Sequence, residues 1–230
     1  MQSIVIAHRF NGPPNSGNGG YASGLVANAI GQTVRVRLRK ALALDTPLSV
    51  IQNSADEWQL RDANDVLAAA VPASVEVTVP APPSYESACT AARGYPSVED
   101  HDLPHCFVCG PGRAPGDGLR IFAAPLPGTS LVAAPWQPDR SLADAGGVKS
   151  EFVWAALDCP GAFASGSDKP MLLGELAARI ERRPNAEERC VVLGWPIATE
   201  GRKHKVGTAV FGADGAVCAV GLATWIELKE

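Results

Sequence analysis

Gly146-Gly147-Val148-Lys149-Ser150-Glu151-Phe152-Val153-Trp154-Ala155-Ala156-Leu157-Asp158-Cys159-Pro160-Gly161-Ala162-Phe163-Ala164 is the stretch on which the reading of this chain turns. Phe152, Val153, Ala156 and Leu157 recur at the three- and four-residue spacing of a buried helical face. Glu151, Trp154 and Asp158 fall at i, i+3 and i+7 and form a second, adjoining stripe. Pro160 has no N–H to donate, and its ring clashes with the carbonyl of Ala156, so the helix should kink or end beside Asp158. An acid so deep in an apolar helix has two readings. It is a structural carboxylate satisfied within the core, or a carboxylate held at the lip of a pocket.

Working outward, the 230 residues suffice for one large unit or two small ones. Hydrophobic residues make up 46% and charged residues 19%, the balance of a soluble protein with an ample core. The net charge of −4 gives no electrostatic reason to expect nucleic acid or an anionic membrane as partner. No apolar run approaches the roughly 20 residues needed to span a bilayer, and the first ten residues lack the basic start and apolar stretch of a secretory signal. Cysteines stand at 89, 106, 109, 159, 190 and 218, too scattered for a disulfide scaffold. Reduced thiols and a cytoplasmic location are expected.

In chain order, residues 3–9 suit a short strand, followed by a loop of turn formers from Phe10 to Tyr21. The apolar run 22–30, closed by Gly31, reads as a helix. Residues 33–40 alternate valine or leucine with arginine, as a half-buried strand does. Further strands are expected at 47–53, 57–62, 66–71 and 75–79. Pro80-Ala81-Pro82-Pro83 marks a change of character, so the chain divides into an N-terminal unit over 1–85, a connecting segment over 86–117 and a C-terminal unit over 118–230. In the last unit, 119–124 and 130–134 should pair across Pro127-Gly128, and the helix should begin near Ser150. Residues 172–183 read as a strand or a helix, with strand favoured because the neighbours are strands, and 189–196 read as a strand. Residues 205–211 and 216–227 form a hairpin across Gly212-Ala213-Asp214-Gly215.

Both units share one order: strand, glycine-rich loop, buried helix, then antiparallel strands. One helix on one sheet leaves apolar surface uncovered, and pairing two such units would cover it. The repeat points to an intramolecular pseudo-dimer.

Three stretches carry a resemblance to a known family: Asn11 to Asn28, the segment Cys106-Phe107-Val108-Cys109-Gly110 leading to Gly118-Leu119, and Glu151 to Ala164. They resemble the hotdog-fold acyl-CoA thioesterase superfamily in its double-hotdog, acyl-CoA thioesterase II-like form. The resemblance implies an α+β fold in which two antiparallel sheets each wrap a central helix. It also implies an acyl-CoA or acyl-carrier thioester as partner, and assembly of double-hotdog subunits into a homo-oligomer. Family members with an acid on the helix place it about seven residues after a His-Gly-Gly turn. Asp158 matches the acid, but Lys149, Ser150 and Glu151 stand where that turn would be. In the first unit Asn18-Gly19-Gly20 matches the turn, and Ala27, next to Asn28, stands where the acid would be. The working site is therefore expected around Asp158.

Thioester hydrolysis needs a base or nucleophile and donors aimed at the carbonyl oxygen. The expected catalytic residues are Asp158, as general base on water or as nucleophile, with Asn18 and Gly20 at a helix N-terminus. Gly19, Tyr21, Asn28, Glu151 and Trp154 are the expected substrate-binding residues, lining two walls between the units. The competing explanations are an ordinary capped turn at Asn18 and core packing for Trp154. Cys106-x-x-Cys109, near His101 and His105, has metal-ligand types but no second pair, so the segment is read as a structural lead-in, with no metal and no cofactor. Arg35, Arg37, Arg39 and Lys40 are read as a solvated strand face; Arg202, Lys203 and Lys205 form either a charged turn or a contact for coenzyme A phosphates. A hydratase would need a histidine partnered with the helix acid, and none follows Asp158 before His204. The remaining alternative is a non-catalytic acyl-CoA or fatty-acyl binding protein with a degenerate hotdog site.

Overall fold

The computed structural model describes residues 2–229. Valine–arginine alternation makes β2 (Val34–Leu38), with Val34 and Val36 buried and the arginines outward. Before it come β1 (Gln2–Val5) and α1 (Gly19–Ile30), whose C-terminus is Gly31 in the left-handed region (φ 77°). After it, β3 (Pro47–Ser54), β4 (Glu57–Arg61) and β5 (Val66–Pro72) run as a meander, and the connecting segment carries α2 (Tyr85–Ala91). The second half holds β6 (Ala124–Pro125), β7 (Val132–Trp136), the short ladder of β8 (Ala143–Asp144) and β9 (Gly147–Val148), then α3 (Ser150–Ala156) and α4 (Cys159–Ala164). Four long strands finish the chain: β10 (Met171–Ile180), β11 (Cys190–Glu200), β12 (Lys203–Phe211) and β13 (Val217–Glu227). Among the described residues no helix is long and apolar enough to cross a membrane.

All but β8 and β9 join one antiparallel sheet of 11 strands, ordered β1-β3-β4-β5-β2-β10-β13-β12-β11-β7-β6. This corrects the expectation of two separate sheets. β2 and β10 pair edge to edge through Arg35↔Ala177, Val36↔Leu176 and Arg37↔Glu175, and Arg37 donates to Glu175 across the seam at 3.0 Å. The physical reason is that two open edges would each leave a row of backbone donors and acceptors unpaired; one ladder satisfies both.

Two strand expectations also change. Residues 75–79 are extended but belong to no ladder. Val75 packs on Ala177 and Val220, so the alternation reports a segment lying across the sheet. Residues 119–123 bond instead to the lead-in, through Leu119 N–H to the Phe107 carbonyl (2.8 Å) and Ile121 N–H to the Val108 carbonyl (2.9 Å). Only Ala124 and Pro125 are left to pair with β7.

The helix break falls where Pro160 requires it. α3 stops at Ala156, Asp158 takes a non-helical conformation (φ −81°, ψ −86°), and α4 restarts at Cys159 with the proline in its first turn. The Leu157 carbonyl, freed by the break, accepts from the buried Thr208 hydroxyl of β12 at 2.8 Å. α1 and α3 run antiparallel in close contact. A Cβ on Gly20 would stand 2.5 Å from Asp158 Cβ, and one on Gly24 would stand 2.6 Å from Glu151 Cα. Glycine at these two positions lets the backbones meet.

Candidate functional site

Asn18 caps α1: its Oδ1 accepts the Tyr21 N–H at 2.8 Å. That bond fixes the amide orientation and turns Nδ2 toward the break between α3 and α4, where it donates to Asp158 Oδ2 at 2.7 Å. Gly20 N–H donates to the same oxygen at 3.1 Å. One carboxylate oxygen is thus held by two donors at a helix N-terminus, while Asp158 as a whole is 1% exposed. Burial pushes its pKa up to about 7; charge on Cys106 adds to the rise, and the Gly20 and Asn18 donors oppose it.

The other oxygen, Asp158 Oδ1, has no hydrogen-bond partner. Among the described residues only one other buried side-chain nitrogen or oxygen shares that condition, Trp225 Nε1. Both residues line one cavity of about 490 Å³ between the glycine-rich loop, the end of β2, the break before α4 and the edge of β10 and β13. Buried polar atoms in folded proteins nearly always have partners, and the two residues that carry these orphans line the same cavity.

Leu38, Leu42, Leu103, Met171 and Leu173 give the cavity an apolar lining, and Arg39, Lys40, Arg202 and Lys229 bring positive charge to it. The arginine-rich strand therefore divides in role. Arg35 and Arg37 pair with Glu175 on the outer surface, whereas Arg39 and Lys40 line the cavity, Lys40 with its ammonium bonded to Asp65 at 2.5 Å. Gly174 lies at a register shift in β10 and also lines it. Glu227, another lining residue, accepts from Ser167 (2.8 Å) and bonds His204 Nε2 (2.8 Å), a polar link that holds β12 to β13.

The expected site residues separate into two groups. Asp158, Asn18, Gly19 and Gly20 converge at one end of the α1–α3 contact; of these, Asp158, Asn18 and Gly19 line the cavity. The Gly20 and Tyr21 N–H groups are already committed to Asp158 and Asn18, so neither is free for a substrate. No hydrogen bond among the described residues takes up the Gly19 N–H. Tyr21 belongs to an aromatic cluster, stacked on Phe10 at 4.2 Å and close to Phe107 and Phe152, and burial pushes its pKa up to about 12. Trp154 is buried beneath Gly20 and Gly24. Asn28 and Glu151 bond each other at 3.0 Å, and Ser150 donates to Asn28 at 2.6 Å. This cluster lies about 15 Å along α1 from Asn18, at 1.5 Å rise per residue. The two expected walls do face each other, and the cavity of about 490 Å³ lies at their Asn18–Asp158 end, without Tyr21, Asn28, Glu151 or Trp154 in its lining.

Trp225, Cys106 and Cys159 are cavity residues that sequence reasoning did not place there. The only sequence signal for Cys159 was its position next to Asp158. Trp225 lies on a strand whose alternation says only which face it occupies, not which helix glycine leaves room for it. That glycine is Gly161, where a Cβ would stand 2.8 Å from Trp225 Nε1.

No protein-family model matches this chain, and no curated protein sequence matches it. Solved structures do. The TesB protein of Mycobacterium avium subspecies paratuberculosis superposes with a TM-score of 0.59 at 13% identity, covering 94% of this chain and 89% of that one. Acyl-CoA thioesterase II TesB2 of Mycobacterium marinum gives 0.58 at 12% identity, covering 99% and 93%. A hot dog fold protein of unknown function from Alicyclobacillus acidocaldarius gives 0.60 at 9% identity, covering 99% and 93%. At these identities the likeness speaks for the fold alone: α+β and hotdog-type, matched along essentially the full length of the TesB chains.

Proposed function

We propose that this protein hydrolyses an acyl thioester, with Asp158 as the general base that activates water. The observation that carries the reading is the pair of orphaned polar atoms, Asp158 Oδ1 and Trp225 Nε1, on residues of one mostly apolar cavity. A carboxylate oxygen accepts a proton and an indole N–H can only donate, so together they suit a water molecule and a carbonyl oxygen.

In this reading Asn18 and Gly20 anchor Oδ2, leaving Oδ1 to take the proton from water as its oxygen bonds to the thioester carbon. The Gly19 N–H and Trp225 Nε1 donate to the oxyanion that develops. Collapse of the tetrahedral adduct breaks the C–S bond, and the proton held on Asp158 passes to the departing thiolate. The leucines and Met171 accommodate the acyl chain. Arg39, Lys40, Arg202 and Lys229 favour a polyanionic carrier, which selects coenzyme A or a phosphopantetheine-bearing carrier over a neutral thiol.

The test is release of free thiol from short, medium, long and aromatic acyl-CoAs. Turnover of at least one class, reduced on the order of 10²-fold in kcat by Trp225→Phe, supports the reading. Thermal stabilisation by acyl-CoA with no thiol release across the panel selects a binding protein instead.

A further inference from the structure

Three cysteines from distant parts of the chain meet beside Asp158. The sulfur atoms of Cys106, Cys109 and Cys159 all lie within 4.8 Å of one another, and the three residues are 1%, 3% and 5% exposed. Cys106 Sγ and Cys159 Sγ are 3.7 Å apart although 53 residues separate them. Two sulfurs bound to one tetrahedral ion at about 2.3 Å stand about 3.8 Å apart, whereas a disulfide would draw them to about 2.0 Å. We propose that Cys106, Cys109 and Cys159 form a binding site for a thiophilic divalent cation, zinc being the ion that fits, which ties the Cys106–Gly110 turn to the start of α4.

The turn that carries Cys106 is held from several sides. Asn18 Nδ2 approaches the Cys106 sulfur at 3.9 Å. The turn closes through Gly110 N–H to the Cys106 carbonyl at 2.9 Å. It is so tight that a Cβ on Gly110 would stand 2.6 Å from Cys106 N, Cys106 O and Pro104 O. Tyr95 fixes the far side of the turn by donating its hydroxyl to the Cys109 carbonyl at 2.9 Å. Outer hydrogen bonds of this kind orient ligands before the ion arrives. Simple core packing of small apolar side chains does not call for three converging sulfurs.

Three thiolates select zinc over magnesium or calcium, which prefer oxygen donors. They also leave one coordination position for an oxygen ligand such as water. From sequence only Cys106 and Cys109 stand at ligand spacing; the fold supplies the third. The ion would hold the residue next to Asp158 in place, as Asn18 and Gly20 hold the carboxylate itself. The inference goes beyond hydrolysis and does not depend on it.

The test is the zinc content of the full-length protein, purified without a metal-affinity tag from zinc-supplemented culture, followed by exchange with Co2+. One zinc per chain is expected, and the Co2+ form should show sulfur-to-cobalt charge-transfer bands with the intense visible bands of a tetrahedral site. Cys159→Ser should weaken zinc retention in a chelator competition by more than about 100-fold, the upper end of what loss of an outer partner costs. Cys89→Ser, outside the cluster, should leave it unchanged. Wild-type protein with no stoichiometric zinc and no such cobalt bands overturns the proposal. Because both readouts use the wild-type chain, a Cys159→Ser variant that fails to fold does not blunt the test, and neither readout depends on turnover.

Discussion

Replacing Gly20 by alanine probes the contact that sets the acid in place. An alanine inside a helix normally gains about 1 kcal/mol over glycine. Here the added Cβ would stand 2.5 Å from Asp158 Cβ, 2.9 Å from the Trp154 carbonyl oxygen and 3.1 Å from Ala155 Cα. Carbon atoms rest about 3.5–4.0 Å apart, so α1 and the α3–α4 junction must separate by about 1 Å. Such overpacking costs about 1–3 kcal/mol, and stretching the 3.1 Å bond from Gly20 N–H to the carboxylate forfeits about 1.5–3 kcal/mol more. Set against the propensity gain, Gly20→Ala should destabilise the fold by about 1.5–5 kcal/mol in urea unfolding. It should also lower kcat on the order of 10²-fold, because about 1 Å of misplacement suffices for that. Gly24→Ala separates the two effects. It crowds Glu151 Cα (2.6 Å) and Trp154 Cβ (2.9 Å) but touches no hydrogen bond of Asp158. It should cost less stability and leave kcat within a few-fold of wild type. A Gly20→Ala protein as stable and as active as wild type would refute the reasoning.

Three further outcomes follow from particular contacts. Thr208→Val leaves the Leu157 carbonyl without its buried donor and should cost about 1–3 kcal/mol in urea unfolding, with no compensating gain in packing. Asn18→Ala removes both the α1 cap and one of the two donors to Asp158, so it should lose about 1 kcal/mol of stability and a larger share of kcat than of KM. Glu188 is gripped by both Arg182 nitrogens at 2.7 and 3.0 Å and by the Asn185 and Ala213 N–H groups, with Arg182 the largest influence, so its pKa falls to about 2. A carboxylate with a depressed folded pKa contributes stability above its unfolded value, near 4.5, and loses it as pH falls toward 2. With Arg182 partly open to solvent, Glu188→Gln should cost about 1–2 kcal/mol at pH 7, and the gap to wild type should close in acid melts.

Much of the fold was legible along the chain because short-range rules decide it. Pro160 dictates the break next to Asp158, Gly31 ends α1, and the turn at Gly212-Ala213-Asp214-Gly215 gives the β12–β13 hairpin. Long-range choices were not legible. Residues 75–79 alternate just as a strand does, because an extended segment lying on a sheet buries every second side chain as well. The merging of two expected sheets depends on β2 finding β10, a three-residue register that no local pattern announces. At the site, the helix acid and the Asn18 turn stood out as chemistry-bearing residues in apolar or glycine-rich surroundings. Asn28, Glu151 and Trp154 share a helix face with them, but helical spacing cannot say where along that face a cavity opens. Trp225 and Cys159 are joined to the site only by the packing of β13 and α4.

The most direct test of the central claim is the hydrolysis rate of Asp158→Asn against wild type on the best acyl-CoA of the panel, with binding followed by thermal shift. Asparagine keeps an acceptor for Asn18 and Gly20 but cannot take a proton from water. Retained binding with kcat lowered 10²-fold or more, about the contribution of a positioned general base, is the expected result. Unchanged turnover would contradict the assignment of Asp158 as that base.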